Sequence, residues 1–94
     1  MRNLDRPGME HNEPDRVIGT MRKNARAEIA VSLRTYKGHR FADVREMVRQ
    51  ADGKLLPTGK GVTMKADALP EIIQLLQRTH LTAVEAGWCS VNVT

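Results

Sequence analysis

The sequence predicts an α+β fold: four antiparallel strands in a meander, then one amphipathic C-terminal helix. Three observations carry this. Ile29, Val31, Leu33 and Thr35 alternate with Ala30, Ser32, Arg34 and Tyr36, the period of a half-buried strand. Lys37-Gly38 and Asp52-Gly53 supply turns between extended segments. From about Ala66 the apolar period lengthens to that of a helix.

Residues 1–24 hold two prolines, two glycines and nine charges without a usable period. They are expected to form a mobile N-terminal arm with at most a short ordered piece around Val17 and Ile18. The first strand follows, and Lys37-Gly38 turns it into a second over about 39–48. There Ala42, Val44 and Val48 fall on one face, and Phe41, Asp43, Arg45 and Met47 on the other. Leu55 and Leu56 are read as a short third strand, "PTGKG" as a glycine-rich loop, and Val62 to Lys65 as the fourth strand. Leu69, Ile72, Ile73, Leu76, Thr79, His80, Ala83 and Val84 then form an i, i+3, i+4, i+7 stripe. Pro70 is tolerated in the first turn, and Gly87 ends the helix. The division is an arm over 1–24, a folded domain over 25–86 and a tail over 87–94. The helix is expected to cover one sheet face and leave the other open.

The open face carries the charge. Residues 25–65 hold nine basic and four acidic groups, whereas 66–94 hold one basic and three acidic. A basic middle segment in a chain of net charge +4 suggests a surface that meets a polyanion. A core this thin favours a homodimer that shares the Leu69, Ile72, Ile73 and Leu76 stripe. The single cysteine, Cys89, excludes an internal disulfide framework and fits a reducing compartment. Neither a signal peptide nor an apolar run of spanning length is apparent, so a cytoplasmic protein with no membrane partner is expected.

Enzymatic and metal chemistries find little support. "GKLLPTGKG" has five residues between Gly53 and Gly59 and leads into a strand, so it is not a phosphate loop. His11, His39, His80 and Cys89 share no ligand spacing, and no nucleophile–base–acid set is present. The expectation is no enzyme, no cofactor and no metal. Tyr36 beside Lys37, with Arg34, His39 and Arg45 close in the fold, instead combines an aromatic face with cations. Single-stranded nucleic acid is bound by that pairing, bases stacking on rings while phosphates meet cations. Lys60, between two glycines, can offer its charge and bare backbone to a phosphodiester.

"VSLRTYKGHRFADVREM", then "DGKLLPTGKGVTM" and an amphipathic helix, resembles the positive-cofactor-four family of transcriptional coactivators, in the form of a compact bacterial-type member. The likeness covers about residues 26–79. Its markers are Tyr36-Lys37-Gly38, "DVRE" at 43–46, Asp52-Gly53, Pro57 and Lys60-Gly61. The resemblance implies a curved four-stranded sheet and a helix, paired through the helices into a homodimer that binds single-stranded or melted DNA with little sequence preference. By position, Tyr36 would stack a base, Lys37, Arg45 and Lys60 would contact phosphates or bases, and the segment from Pro57 to Gly61 would wrap the strand.

Four positions depart from the eukaryotic pattern. His39 and Leu56 each stand for a lysine, Val48 for a base-stacking tryptophan, and Gly59 for an arginine. Each loss is expected to weaken affinity, since stacking alone is worth roughly 1–3 kcal/mol per base. Residues 1–24 hold no serine, so the phospho-control of the serine-rich arm in eukaryotic members is not expected of this arm. The functional expectation is a DNA-binding protein acting in transcription regulation or DNA transactions, with the transcription machinery as a further partner. It would be nucleoid-associated in a prokaryote and nuclear in a eukaryote. Alternatives are an RNA- or duplex-DNA-binding module, or a homodimeric scaffold that docks an acidic protein.

Overall fold

The computed structural model describes residues 14–91. Four strands, β1 (Arg16–Arg22), β2 (Ala27–Tyr36), β3 (His39–Arg49) and β4 (Leu55–Lys65), form one antiparallel sheet in sequence order. A 3-10 turn at Ala66–Ala68 leads into α1 (Leu69–Glu85). The expected class, four strands then one helix, is the observed one, but two of the strands differ from those expected.

The first difference is at the N-terminus. Arg16–Arg22, assigned by sequence to the arm, pairs along β2 from Arg16↔Leu33 to Arg22↔Glu28, with a bulge between Val17 and Gly19. All seven of its residues are exposed, so no alternation marks it. The rest of the expected arm, including His11, lies outside the described residues. The second difference is in β4, one continuous strand where two were expected. At "PTGKG" its register jumps from Met47↔Pro57 to Arg45↔Gly61, so residues 58–60 bulge opposite Glu46. Thr58 Oγ1 donates to the Glu46 carbonyl (3.0 Å) and accepts from the Lys60 N–H (3.0 Å), which closes the bulge. Pro57 is tolerated because β4 is an edge strand.

The β2–β3 hairpin turns on two residues, Lys37 (φ 52°) and Gly38 (φ 79°). Positive φ at both central positions matches the right-handed twist of the flanking strands. At the far end of β3, Gly53 (φ 89°) closes a turn in which Asp52 Oδ1 accepts from the Lys54 N–H at 2.9 Å. The helix begins with Pro70 in its first turn. It ends where Gly87 (φ 80°) lets Trp88 N–H reach the Ala83 carbonyl (2.8 Å) and Gly87 N–H that of Val84 (3.0 Å). These paired bonds satisfy carbonyls the helix leaves open. The tail is thereby folded back, and His80 Nε2 meets the Ser90 carbonyl at 3.1 Å.

The expected cover of one sheet face by the helix is not found. No residue of α1 is buried. Among the described residues only Ala27, Ala30, Ser32, Ala42 and Asp43 are buried. Ile73, Leu76, Val31 and Val62 are exposed large hydrophobics. The physical reason is that an amphipathic stripe demands an apolar cover without specifying which chain supplies it. No helix among the described residues is long and apolar enough to cross a membrane.

Candidate nucleic-acid interface

Residues directly opposite in neighbouring strands share a sheet face, so the register sorts the side chains. On one face the rows are Tyr36–His39, then Arg34–Phe41–Lys65, Ser32–Asp43–Thr63 and Ala30–Arg45–Gly61. On the other they are Leu33–Ala42–Met64, Val31–Val44–Val62 and Ala27–Val48–Leu56. The first face is aromatic and cationic at its hairpin end; the second is apolar along these rows, with Thr35–Arg40 at its hairpin end and Ile29–Glu46 set between the last two.

At the hairpin end Tyr36 is 59% exposed, and Lys37 Nζ sits 5.4 Å from its ring centroid. A lysine in the left-handed region costs roughly 1–2 kcal/mol against the right-handed one, so the turn carries it against its own backbone preference. His39 and Phe41 bring their ring centroids to 6.3 Å at a 46° tilt. Arg34 Nε pairs with Asp15 Oδ2 at 3.2 Å, both side chains about half exposed. Such a pair contributes little, about 0–1 kcal/mol, and yields readily to a stronger anion.

Two rows away the charge is locked. Arg45 donates from Nε and one terminal nitrogen to the two oxygens of Asp43 (3.3 and 2.7 Å). It also donates to Thr63 Oγ1 (3.1 Å) and, from its other terminal nitrogen, to the Thr58 carbonyl (3.3 Å). Four of the five guanidinium donors are thus used, and the side chain is only 18% exposed. Thr63 Oγ1 adds a 2.6 Å donation to Asp43. The Arg45 hydrogen bond, more than any other contact, holds the Asp43 carboxyl below the usual carboxylate range; burial opposes it, and Thr63 reinforces it. Asp43 in turn raises Arg45 above its ordinary value. Gly61 makes room for this: a Cβ there would stand 2.8 Å from Arg45 Cζ and 2.5 Å from the Val44 carbonyl.

The residues singled out from the sequence are therefore brought together only in part. Arg34, Tyr36 and His39 share one end of one face, with Lys37 at its turn. Arg45 lies on that face but inside the Asp43 lock. Lys60 sits on the β4 bulge, where its charge, after the Lys23 hydrogen bond, helps lower the Glu46 carboxyl. Glu46 pairs with Ile29 and so faces away from Arg45; Lys23 Nζ donates to it at 2.8 Å. Leu69, Ile72, Ile73 and Leu76 line α1, with Ile72 half-buried, Leu69 partly covered and the other two exposed. The structure adds Phe41, which the sequence reading placed with Arg45 without assigning it a part, and Lys65, which the β3–β4 register sets opposite Phe41. The signal was available: once the turn is fixed at two residues, Arg34 must stand opposite Phe41. Among the described residues no cluster of three potential metal ligands occurs.

The family model for transcriptional coactivator p15 (PC4) matches residues 23–75. No curated protein matches the chain. Two crystal forms of BPSL1147, a PC4 homolog from Burkholderia pseudomallei K96243, are similar in structure. The orthorhombic form has 34% identity and a TM-score of 0.65, covering 68% of this chain and 86% of that one. The tetragonal form has 33% identity and the same TM-score, covering 70% and 97%. The bacteriophage T5 homolog of PC4, implicated in recombination-dependent DNA replication, shares the fold at 15% identity, with a TM-score of 0.54 over 78% of this chain and 81% of that one. With the matched region spanning more than half of the sequence and holding both the aromatic hairpin and the bulged edge strand, the chain belongs to the transcriptional coactivator p15 (PC4) family.

Proposed function

We propose that this protein is a non-enzymatic homodimer that binds single-stranded or melted DNA with little sequence specificity, in transcription regulation or another DNA transaction. The observation that carries this is the hairpin end of one sheet face. Three rings, Tyr36, His39 and Phe41, lie there among the cations Arg34, Lys37 and Lys65. Rings with interleaved cations suit exposed bases and their phosphates better than a stacked duplex, whose bases present only edges. Arg45 contributes from within its lock, aligning β3 and β4 and offering its remaining donor. Lys60 meets the phosphate backbone where it passes the β4 edge.

What one chain leaves uncovered supports the dimer. The apolar sheet rows leave Val31, Leu56 and Val62 exposed, the Leu69, Ile72, Ile73 and Leu76 stripe leaves Ile73 and Leu76 exposed, and a second copy brings the complementary pair. The expected locations are the cytoplasm, at the nucleoid, or a nucleus, with transcription proteins as further partners.

Fluorescence titration against matched single-stranded, duplex and RNA oligonucleotides at two salt concentrations tests the reading, with sedimentation for the oligomeric state. Tight, salt-sensitive binding to single strands by a dimer supports it. Equal affinity for single-stranded and duplex DNA, or binding only to an acidic protein, would replace it.

A further inference from the structure

Beside Tyr36 the binding face is not flat. Arg34, Thr35, Tyr36, Phe41 and Thr63 line an open cleft of about 250 Å³. Sites for drug-sized ligands run to about 300–1,000 Å³, so this one is scaled to a single planar ring system. Phe41 is partly covered, directly cross-strand from Arg34 and tilted against His39. It therefore offers an apolar surface inside the cleft, where Tyr36 offers one at the rim.

The chemistry of the walls is one-sided. Among the described residues the only charged side chain lining it is Arg34, a planar fork of donors. Thr63 Oγ1 is already occupied, donating to Asp43 and accepting from Arg45. A base entering here is selected by what it can give a guanidinium. Guanine presents two adjacent acceptors, O6 and N7, which an arginine takes in a bidentate pair. Adenine and cytosine present amino donors at the corresponding positions. The acid that Arg34 holds meanwhile, Asp15, is an exposed partner that guanine can displace.

The geometry points to a base-reading subsite in this cleft, in which Phe41 stacks one nucleobase and Arg34 selects guanine on a surface otherwise indifferent to sequence. The inference rests on the single-strand-binding reading above and adds a preference at one nucleotide. In this role Asp15 is a competitor that keeps Arg34 occupied when no base is present.

The test uses the full chain and oligothymidine carrying one central dG, dA, dC or 7-deazaguanosine, read by competition titration. Wild type is expected to bind the dG strand about tenfold more tightly than oligothymidine, within the discrimination a bidentate pair provides. The 7-deaza strand, lacking the N7 acceptor, should lose most of that gain. Arg34→Gln should abolish the preference, and Asp15→Asn should widen it. Phe41→Leu keeps an apolar side chain but no π-face, and should weaken binding to every strand without altering the salt slope. Equal affinity for the dG and all-thymidine strands overturns the subsite, as does a preference that survives Arg34→Gln. If oligothymidine binds but shows no base preference, only the subsite fails. If no single strand binds at all, the functional reading falls with it.

Discussion

The Arg45 guanidinium occupies the space a side chain at Gly61 would need. An added Cβ would lie 2.8 and 2.9 Å from Arg45 Cζ and Nε, and 2.5 Å from the Val44 carbonyl oxygen. Because backbone is involved, a shift of Arg45 alone does not relieve the clash.

Gly61→Ala should therefore destabilise the fold by about 1–3 kcal/mol, the usual cost of overpacking. Gly59→Ala, whose added methyl would meet only open space, should be tolerated. Urea denaturation of the two variants side by side checks this. Equal midpoints would show that β3 and β4 can part at this point without loss.

Asp43, its side chain only 3% exposed, anchors the same arrangement. Asp43→Asn should cost about 1.5–3 kcal/mol, the range for hydrogen bonds to charged groups. It should also alter the acid response. The Asp43 and Glu46 carboxyls both titrate lower in the folded state than in the unfolded one. The unfolded chain therefore takes up protons first on acidification. Their stabilisation is complete above the unfolded values, about 3.9 and 4.3, and is lost as pH falls through the lower folded ones. Thermal unfolding below about pH 4 should fall less steeply for Asp43→Asn than for wild type.

Stacking and charge should separate in binding experiments. Lys37→Ala and Lys65→Ala should each reduce the slope of log affinity against log salt by about 0.7, the value for one phosphate on a single strand. Tyr36→Ala should lower affinity by roughly 1–3 kcal/mol while leaving the slope unchanged, because stacking releases no counterions. Wild-type affinity in all three variants would exclude this face as the contact surface.

Ile73→Asp probes the helix stripe. Ile73 is 49% exposed in the single chain, so a carboxylate there would be harmless to a monomer. Within an apolar interface it would be an unpaired buried charge, which is strongly disfavoured. Sedimentation should show the variant dissociating at concentrations where wild type remains dimeric. An unchanged sedimentation profile would remove α1 from the interface.

What the sequence disclosed and what it hid divide along physical lines. The strands β2 and β3 were legible because Ile29 to Tyr36 alternate cleanly and Lys37-Gly38 leaves room for one turn type. The helix was legible from its stripe. By contrast, β1 escaped because none of its side chains is buried, so nothing imposes a period on "RVIGTMR". The β4 bulge escaped because Pro57, Gly59 and Gly61 read as a loop wherever edge position and register are unknown. Asp43 and Arg45 fall on one face by simple alternation. Their closure with Thr58, Thr63 and Gly61 requires the β3–β4 register, which no local pattern encodes. The Arg34–Phe41 pairing was legible from the two-residue turn, whereas Lys65 joins that row only through the β3–β4 register.

The way the helix ends also fixes what light can report. The motif at Gly87 turns the chain so that Trp88, the sole tryptophan, stands 83% exposed beside the last turns of α1, on a different element from the Tyr36 face. Its emission reads the water around the helix end directly. A blue shift on raising protein concentration would register that end becoming covered, whereas quenching confined to added oligonucleotide would place nucleic acid near the tail. One native fluorophore can thus separate assembly from ligand binding without a label.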